Sequence, residues 1–139
     1  MATARVSKLG EIKQVVLFNA SPHDVYELIM DEKKHTKIVG SACKVSRVVG
    51  GSFCVFDGWT NGKNLELVSD KKIVQSWRVN DTAWPKGHDS IVKFVFRKSA
   101  TGTKLDFSHE KIPSGWKSDL AKGWNAYYWK PMKELLKKE

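Results

Sequence analysis

The chain has 139 residues, enough for one domain over 1–139, and no internal repeat or low-complexity tract suggests a larger plan. With 41% hydrophobic and 28% charged residues it is too apolar for a disordered polymer, and no run approaches the ~20 apolar residues of a membrane span. The net charge of +9 is mostly lysine, scattered in pairs such as Lys33-Lys34 and Lys71-Lys72. It reads first as a solvated surface and second as a match for an acidic protein partner; without an arginine-rich cluster, nucleic acid is not an expected partner.

Residues 1–10 have no apolar core to act as a signal peptide and read as a flexible leader, which places the protein in the cytoplasm. From Glu11 to Asn19, the residues Ile12, Val15, Val16, Leu17 and Phe18 predict a strand. Asn19-Ala-Ser-Pro then predicts a helix start, with Ser21 as cap, Pro22 at the first position and Asp24 near the positive helix end. Val25, Leu28 and Ile29 form its buried stripe, and a second short helix from Asp31 ends before Gly40.

From Cys43 to His109 the apolar residues alternate, and turn residues recur at regular spacing: Gly50-Gly51, Asn61-Gly62, Ser69 to Lys72, Trp84 to Gly87 and Ala100 to Gly102. About six strands in an antiparallel meander follow. Val92, Phe94 and Phe96 oppose Lys93 and Arg97, and Leu105, Phe107 and His109 oppose Lys104, Asp106 and Glu110. One face of this sheet is therefore dry. Ile73, Gln75, Trp77 and Val79 join it, with Arg78 outside. In the middle strands, ideal pairing about Asn61-Gly62 aligns Asp57, Glu66 and Gln75 on one face. A single bulge turns Leu65 and Leu67 inward instead, and is favoured because three buried polar groups are costly.

A hairpin turning at Gly50-Gly51 sets Cys54 opposite Arg47 and leaves Cys43 four residues away, about 13 Å at strand rise, so both cysteines are expected as free thiols.

The C-terminal run GWNAYYWKPMKELLKK predicts one long helix, kinked at Pro131 because proline lacks the N–H and costs ~3 kcal/mol in a helix interior. At 100° per residue, Leu120, Trp124, Tyr127, Tyr128, Pro131 and Leu135 share one apolar stripe. A curved antiparallel sheet wrapped around this helix is the simplest α+β architecture, with the two short helices closing an end. The interior is then either a plain aromatic core or a ligand cavity lined by Trp77, Phe94, Phe107, Trp124, Tyr127 and Tyr128, with His109 and Gln75 as polar orienting groups. Trp129 falls opposite the stripe, beside Lys122 and Lys133, where it either packs under a loop or anchors a partner.

No catalytic constellation stands out. His23, His35, His88 and His109 lie far apart without metal-ligand spacing, and no glycine-flanked serine or cysteine nucleophile is evident. His109 reads as a satisfied core histidine. The chain is expected to be a monomer without catalytic residues, metal or cofactor.

Several motifs in order carry a resemblance: N-A-S-P-x-D-V-Y-E (Asn19 to Glu27), D-x-x-K-H with a later glycine (Asp31 to Gly40) and G-G-x-F-x-x-F-D-G-x-x-x-G (Gly50 to Gly62). They continue with I-V-Q-S-W-R (Ile73 to Arg78), W-P (Trp84-Pro85), T-x-L-x-F-x-H-x-x-I-P (Thr103 to Pro113) and G-W-x-x-Y-Y-W-x-P (Gly123 to Pro131). From about Ile12 to Leu136 the chain resembles the C-terminal domain of the activator of heat-shock protein 90 (Hsp90) ATPase, within the START-like (SRPBCC) helix-grip superfamily. The resemblance implies a Bet v allergen-like fold and a co-chaperone or stress-related module that contacts an Hsp90-family chaperone through the basic surface, including Trp129, Lys122 and Lys133. It also implies, as the alternative, a carrier of an apolar lipid-like or polycyclic molecule between sheet and helix. Ile38 and Val39 stand where the family often has an aromatic and a threonine, which makes that wall smaller.

Overall fold

The computed structural model describes residues 9–137, so the expected leader lies outside the described residues apart from its last two, and Gly10 already belongs to a strand. Seven strands form one antiparallel sheet: β1 (Gly10–Phe18), β2 (Lys44–Val45), β3 (Ser52–Val55), β4 (Thr60–Val68), β5 (Lys72–Val79), β6 (Ser90–Ser99) and β7 (Gly102–Ile112). Their spatial order is β1-β7-β6-β5-β4-β3-β2, so a meander from β2 to β7 is completed by the first strand pairing with the last. Two short helices, α1 (Pro22–Met30) and α2 (Glu32–Val39), follow β1. The C-terminal helix comprises α3 (Lys117–Trp124), a wider π-helical turn (Asn125–Trp129) and α4 (Lys130–Lys137).

The local signals explain the helix ends. Ser21 accepts the Asp24 N–H at 3.2 Å and Pro22 opens α1, while Asp31 caps α2 through the Lys34 N–H at 3.0 Å. Gly40 then ends α2 in the left-handed conformation at φ 74°, which a side chain would disfavour. On the sheet, the dry face holds Ile73, Gln75, Trp77, Val79, Val92, Phe94, Phe96, Leu105, Phe107 and His109, all buried. The wet face pairs charges across strands, with Arg97 to Asp106 at 2.8 Å and Arg78 to Asp89 at 2.9 Å. Such exposed pairs contribute only about 0.2–1 kcal/mol each, so burial of the other face carries the fold.

Two turns differ from the sequence expectation. Asn61-Gly62 is not a hairpin turn but lies inside β4, where Gly62 pairs with Phe53. A Cβ on Gly62 would stand 1.9 Å from the Ser76 carbonyl oxygen and 2.6 Å from the Phe53 ring, so that glycine permits close approach, not reversal. The chain reverses at Phe56 to Trp59, where Phe56 (φ 54°) and Asp57 (φ 55°) adopt left-handed backbone. Asp57 therefore sits in a turn and does not join Glu66 and Gln75 on a face. The favoured bulge is present, between Asn64 and Glu66. It turns Leu67 toward the core, but Leu65, the bulged residue itself, stays exposed.

The cysteine pairing differs as well. Cys54 lies opposite Lys44, not Arg47, because the β2–β3 connection is held wide by Asn64, whose Nδ2 donates to the carbonyls of Ser46 (2.8 Å) and Val48 (3.1 Å). Cys43 is thus one step from the pair, and strand alternation rather than distance keeps the thiols apart. Both are free. Cys43 is buried, and burial raises its thiol pKa. In native protein, thiol labelling is expected to modify Cys54 first and Cys43 only slowly, with two equivalents reacting on denaturation; equal native rates would contradict this placement.

The largest correction concerns the C-terminal helix. Instead of a plain kink at Pro131, the turn before it widens, and the Lys130 N–H bonds to the Asn125 carbonyl five residues back. A π-helical turn holds roughly 4.4 residues and advances by roughly 80–85° per residue, against 100° in an α-helix. Over five residues from Trp124 this rotates Trp129 back onto the buried side and Tyr127 away from it. Trp129 is 3% exposed and donates its Nε1–H to Gln14 Oε1 at 2.7 Å, so it is a core residue and not a partner anchor. Tyr127 is 56% exposed and leaves the buried stripe. Lys122 and Lys133 remain exposed.

Candidate functional site

Of the predicted lining residues, Gln75, Trp77, Phe94, Phe107, His109, Trp124 and Tyr128 are all buried between sheet and helix. Trp124 is at the centre, with ring centroids 4.5 Å from Phe107, 4.7 Å from Tyr128, 5.1 Å from Trp77 and 5.6 Å from Trp129. Phe94 lies 5.9 Å from Trp124 and 5.3 Å from Phe107. These rings fill the sheet–helix interior with one another.

The two core histidines each bond through both ring nitrogens, and the partners fix their tautomers, whereas the buried Thr60 hydroxyl has no hydrogen-bond partner. Ser90 Oγ donates to the Trp77 carbonyl at 2.9 Å, so it accepts from His109 Nε2 at 2.8 Å. His109 Nδ1 accepts the Trp124 indole N–H at 3.1 Å. His109 is therefore neutral with its proton on Nε2, and burial pulls its pKa down to about 3. His35, which the sequence reading left aside, is the counterpart on α2. Its Nδ1 donates to the Ile29 carbonyl at 2.8 Å, and its Nε2 accepts the Tyr128 hydroxyl at 2.8 Å. Burial lowers the His35 pKa and raises that of Tyr128. Gln75 donates to Asn64 Oδ1 at 3.0 Å, which joins it to the brace on the β2–β3 connection. The only clue to this in the sequence was that each group needed a partner once buried.

Two buried neutral histidines give a pH prediction. In the unfolded chain both titrate near the ordinary value of ~6.5, whereas in the fold both resist protonation. Below that value the unfolded state binds more protons, so stability is full above it and falls as the pH drops from ~6.5 toward the folded His109 value of about 3. The slope approaches about 1.4 kcal/mol per pH unit per histidine. Urea midpoints at pH 7 and pH 4.5 check this; an unchanged midpoint would exclude both assignments.

Four of the predicted lining residues, Trp77, Trp124, Tyr127 and Tyr128, also border a groove of about 190 Å³ at one end of the core. Its outer walls, Phe56, Trp59 and Trp116, come from the β3–β4 turn and from the residue preceding α3, and Asp119, Leu120 and Gly123 lie along α3. Sequence reasoning missed Phe56, Trp59 and Trp116, because no motif marks a left-handed phenylalanine as a turn.

Elsewhere His23, Glu27 and Asp70 bring three ligating atoms within 4.8 Å. His23 and Glu27 are four residues apart on α1, a spacing the sequence reading passed over. The groups satisfy neighbours: His23 Nδ1 meets Asp70 at 2.9 Å, and Arg47 donates through both Nη atoms to the two Glu27 carboxylate oxygens at 3.1 and 2.7 Å. Among the described residues no helix is long and apolar enough to cross a membrane.

A curved seven-stranded antiparallel sheet gripping a C-terminal helix, with two short helices after the first strand, defines a START-like helix-grip domain. The family model described as "Activator of Hsp90 ATPase homolog 1-like protein" matches residues 19–137, and the chain belongs to this family. The human activator of 90 kDa heat shock protein ATPase homolog 1 is 26% identical over 119 residues, covering 86% of this chain and 35% of that protein. The Dictyostelium discoideum homolog is 31% identical over 113 residues, covering 74% of this chain and 29% of its own length. The chain thus spans about a third of the curated relatives it matches. Among solved structures, an Hsp90 activator from Plasmodium falciparum superposes with a TM-score of 0.81 at 26% identity, covering 92% of this chain and 95% of that one. An Aha1 dimer from Colwellia psychrerythraea shares the fold, with a TM-score of 0.72 at 17% identity over 85% of this chain and 90% of that one.

Proposed function

We propose that the chain is a non-enzymatic binding domain of the Hsp90-ATPase-activator type that contacts an Hsp90-family chaperone in the cytoplasm. The observation that carries this reading is the family match over residues 19–137, supported by the likeness to an Hsp90 activator along nearly the whole chain. The net charge of +9 suits an acidic partner. The exposed side of the C-terminal helix presents Lys117, Lys122, Lys130 and Lys133, and with Trp129 buried these lysines are the contact candidates on that element. The interior that an apolar carrier would use is occupied by Phe94, Phe107, Trp124 and Trp129, which favours the binding-module reading over the carrier.

The test is binding to purified Hsp90 and its ATP turnover with increasing salt. Association that weakens as salt screens the surface charges is expected, and Lys122→Glu with Lys133→Glu should lower affinity about tenfold at low salt. No binding at low salt together with unchanged turnover would sink the proposal.

A further inference from the structure

Seven of the ten residues lining the groove at the end of the core are aromatic. Phe56 is its hub, with ring centroids 6.1 Å from Trp59, 5.7 Å from Tyr127 and 6.0 Å from Tyr128, all edge-to-face. Trp59 in turn lies 6.3 Å from Trp116. Two of these rings stay open to solvent, Trp59 at 38% and Tyr127 at 56%. The only charged side chain on the lining is Asp119, in the first turn of α3. Asp119 has no cationic side chain within ion-pair distance among the described residues, although the chain as a whole carries +9.

The local backbone maintains this arrangement at a cost. A left-handed phenylalanine is strained by roughly 1–2 kcal/mol, and here Phe56 and Asp57 both adopt that conformation. The turn is held by the Asp57 N–H on the Ala42 carbonyl (2.9 Å) and the Asn80 N–H on the Trp59 carbonyl (2.7 Å). On the helix side, Gly123 lies one turn after Asp119 and one turn before Tyr127, so the space between those two side chains is left open. A Cβ there would meet Tyr127 Cδ2 at 3.8 Å, an ordinary contact, so neither strain nor crowding explains the glycine.

We infer that this groove is a binding site for a trimethylammonium group, as in choline or a phosphocholine headgroup, held by the faces of Trp59, Trp116 and Tyr127 and by the Asp119 carboxylate. A quaternary ammonium is attracted to aromatic faces and has no N–H to leave unsatisfied, so it is cheap to desolvate against rings. A neutral apolar ligand would cover the carboxylate without compensating it. A primary ammonium could donate one N–H to Asp119, but the rings would replace none of the hydration of its other two N–H groups. The inference is independent of chaperone binding.

The test is titration of the whole chain with choline chloride, at ionic strength matched by sodium chloride, following tryptophan indole N–H resonances. The neutral isostere 3,3-dimethyl-1-butanol is titrated in parallel. Saturable shifts at Trp59 and Trp116 are expected with choline, with binding at least about fivefold weaker for the isostere. Asp119→Asn should weaken choline about threefold, and Tyr127→Ala about fivefold, with the fold unchanged because both positions are exposed. Gly123→Leu should fill the groove and abolish the shifts. Phosphatidylcholine vesicles separate the sources: co-sedimentation abolished by Gly123→Leu assigns the lipid headgroup, and choline shifts without co-sedimentation assign the free cation. No saturable response to choline, equal response to the isostere, or unchanged binding by Asp119→Asn would each overturn the site.

Discussion

Trp124→Ala is expected to lower unfolding stability by about 3–5 kcal/mol, the cost of truncating a large aromatic in a packed core. Four aromatic rings lie within 5.6 Å of the Trp124 centroid, so the loss leaves a cavity that no single neighbour can close. A second cost comes from the indole N–H. It is the donor to His109 Nδ1, and without it a buried acceptor has no partner. Trp124→Phe separates the two contributions, because it keeps most of the volume but loses the donor. It should cost about 1–3 kcal/mol and weaken the acid sensitivity, since a histidine already missing a partner loses less on protonation. Denaturant midpoints at two pH values measure both. A Trp124→Ala cost below about 1 kcal/mol would mean that the core is not packed as described.

Deletion of Ala126 is the second large effect, and its direction depends on Pro131. Ala126 is exposed within the π-helical turn. Removing it leaves Tyr128 and Trp129 three and four positions after Trp124, which is the spacing one face of an ordinary α-helix requires. The aromatic register therefore survives the deletion. The proline does not fare as well. In a regular α-helix its ring meets the carbonyl four residues back, at a cost of about 3 kcal/mol, whereas the widened turn already departs from i→i−4 pairing next to it. The deletion alone should thus lose about 3 kcal/mol, and Pro131→Ala in the deleted background should recover most of it. Equal losses with either residue at position 131 would show that Trp129, and not the proline, depends on the wide turn.

Much of the sheet was legible because period-two alternation is a direct consequence of a half-buried strand. Val92, Phe94 and Phe96 against Lys93 and Arg97 needed only that rule, and the helix start at Ser21-Pro22 followed from capping chemistry. The failures have equally specific causes. Asn61-Gly62 has the composition of a two-residue turn, but Gly62 was selected by the Phe53 ring and the Ser76 carbonyl packed against it, which are contacts from two other strands. Trp129 was misplaced because a projection at 100° per residue assumes an uninterrupted α-helix. One extra residue per turn moved it inward and Tyr127 outward, and the proline that marked the irregularity did not specify its form. The end groove depends on a strained turn and on Trp116 outside any strand, neither of which leaves a periodic trace.

Strand β1 pairs with β7, and its Gln14 joins the terminal helix twice, accepting from Trp129 and donating to the Ala121 carbonyl. The portion of this domain that a ribosome makes first is therefore the portion whose neighbours arrive last. Until roughly the final third has emerged, Ile12, Val16 and Phe18 have nothing to lie against, and their closure must span nearly the whole sequence. Folding is thus a late event in synthesis, with a sticky β-edge waiting throughout, and a chain cut short before Gly102 keeps that edge bare.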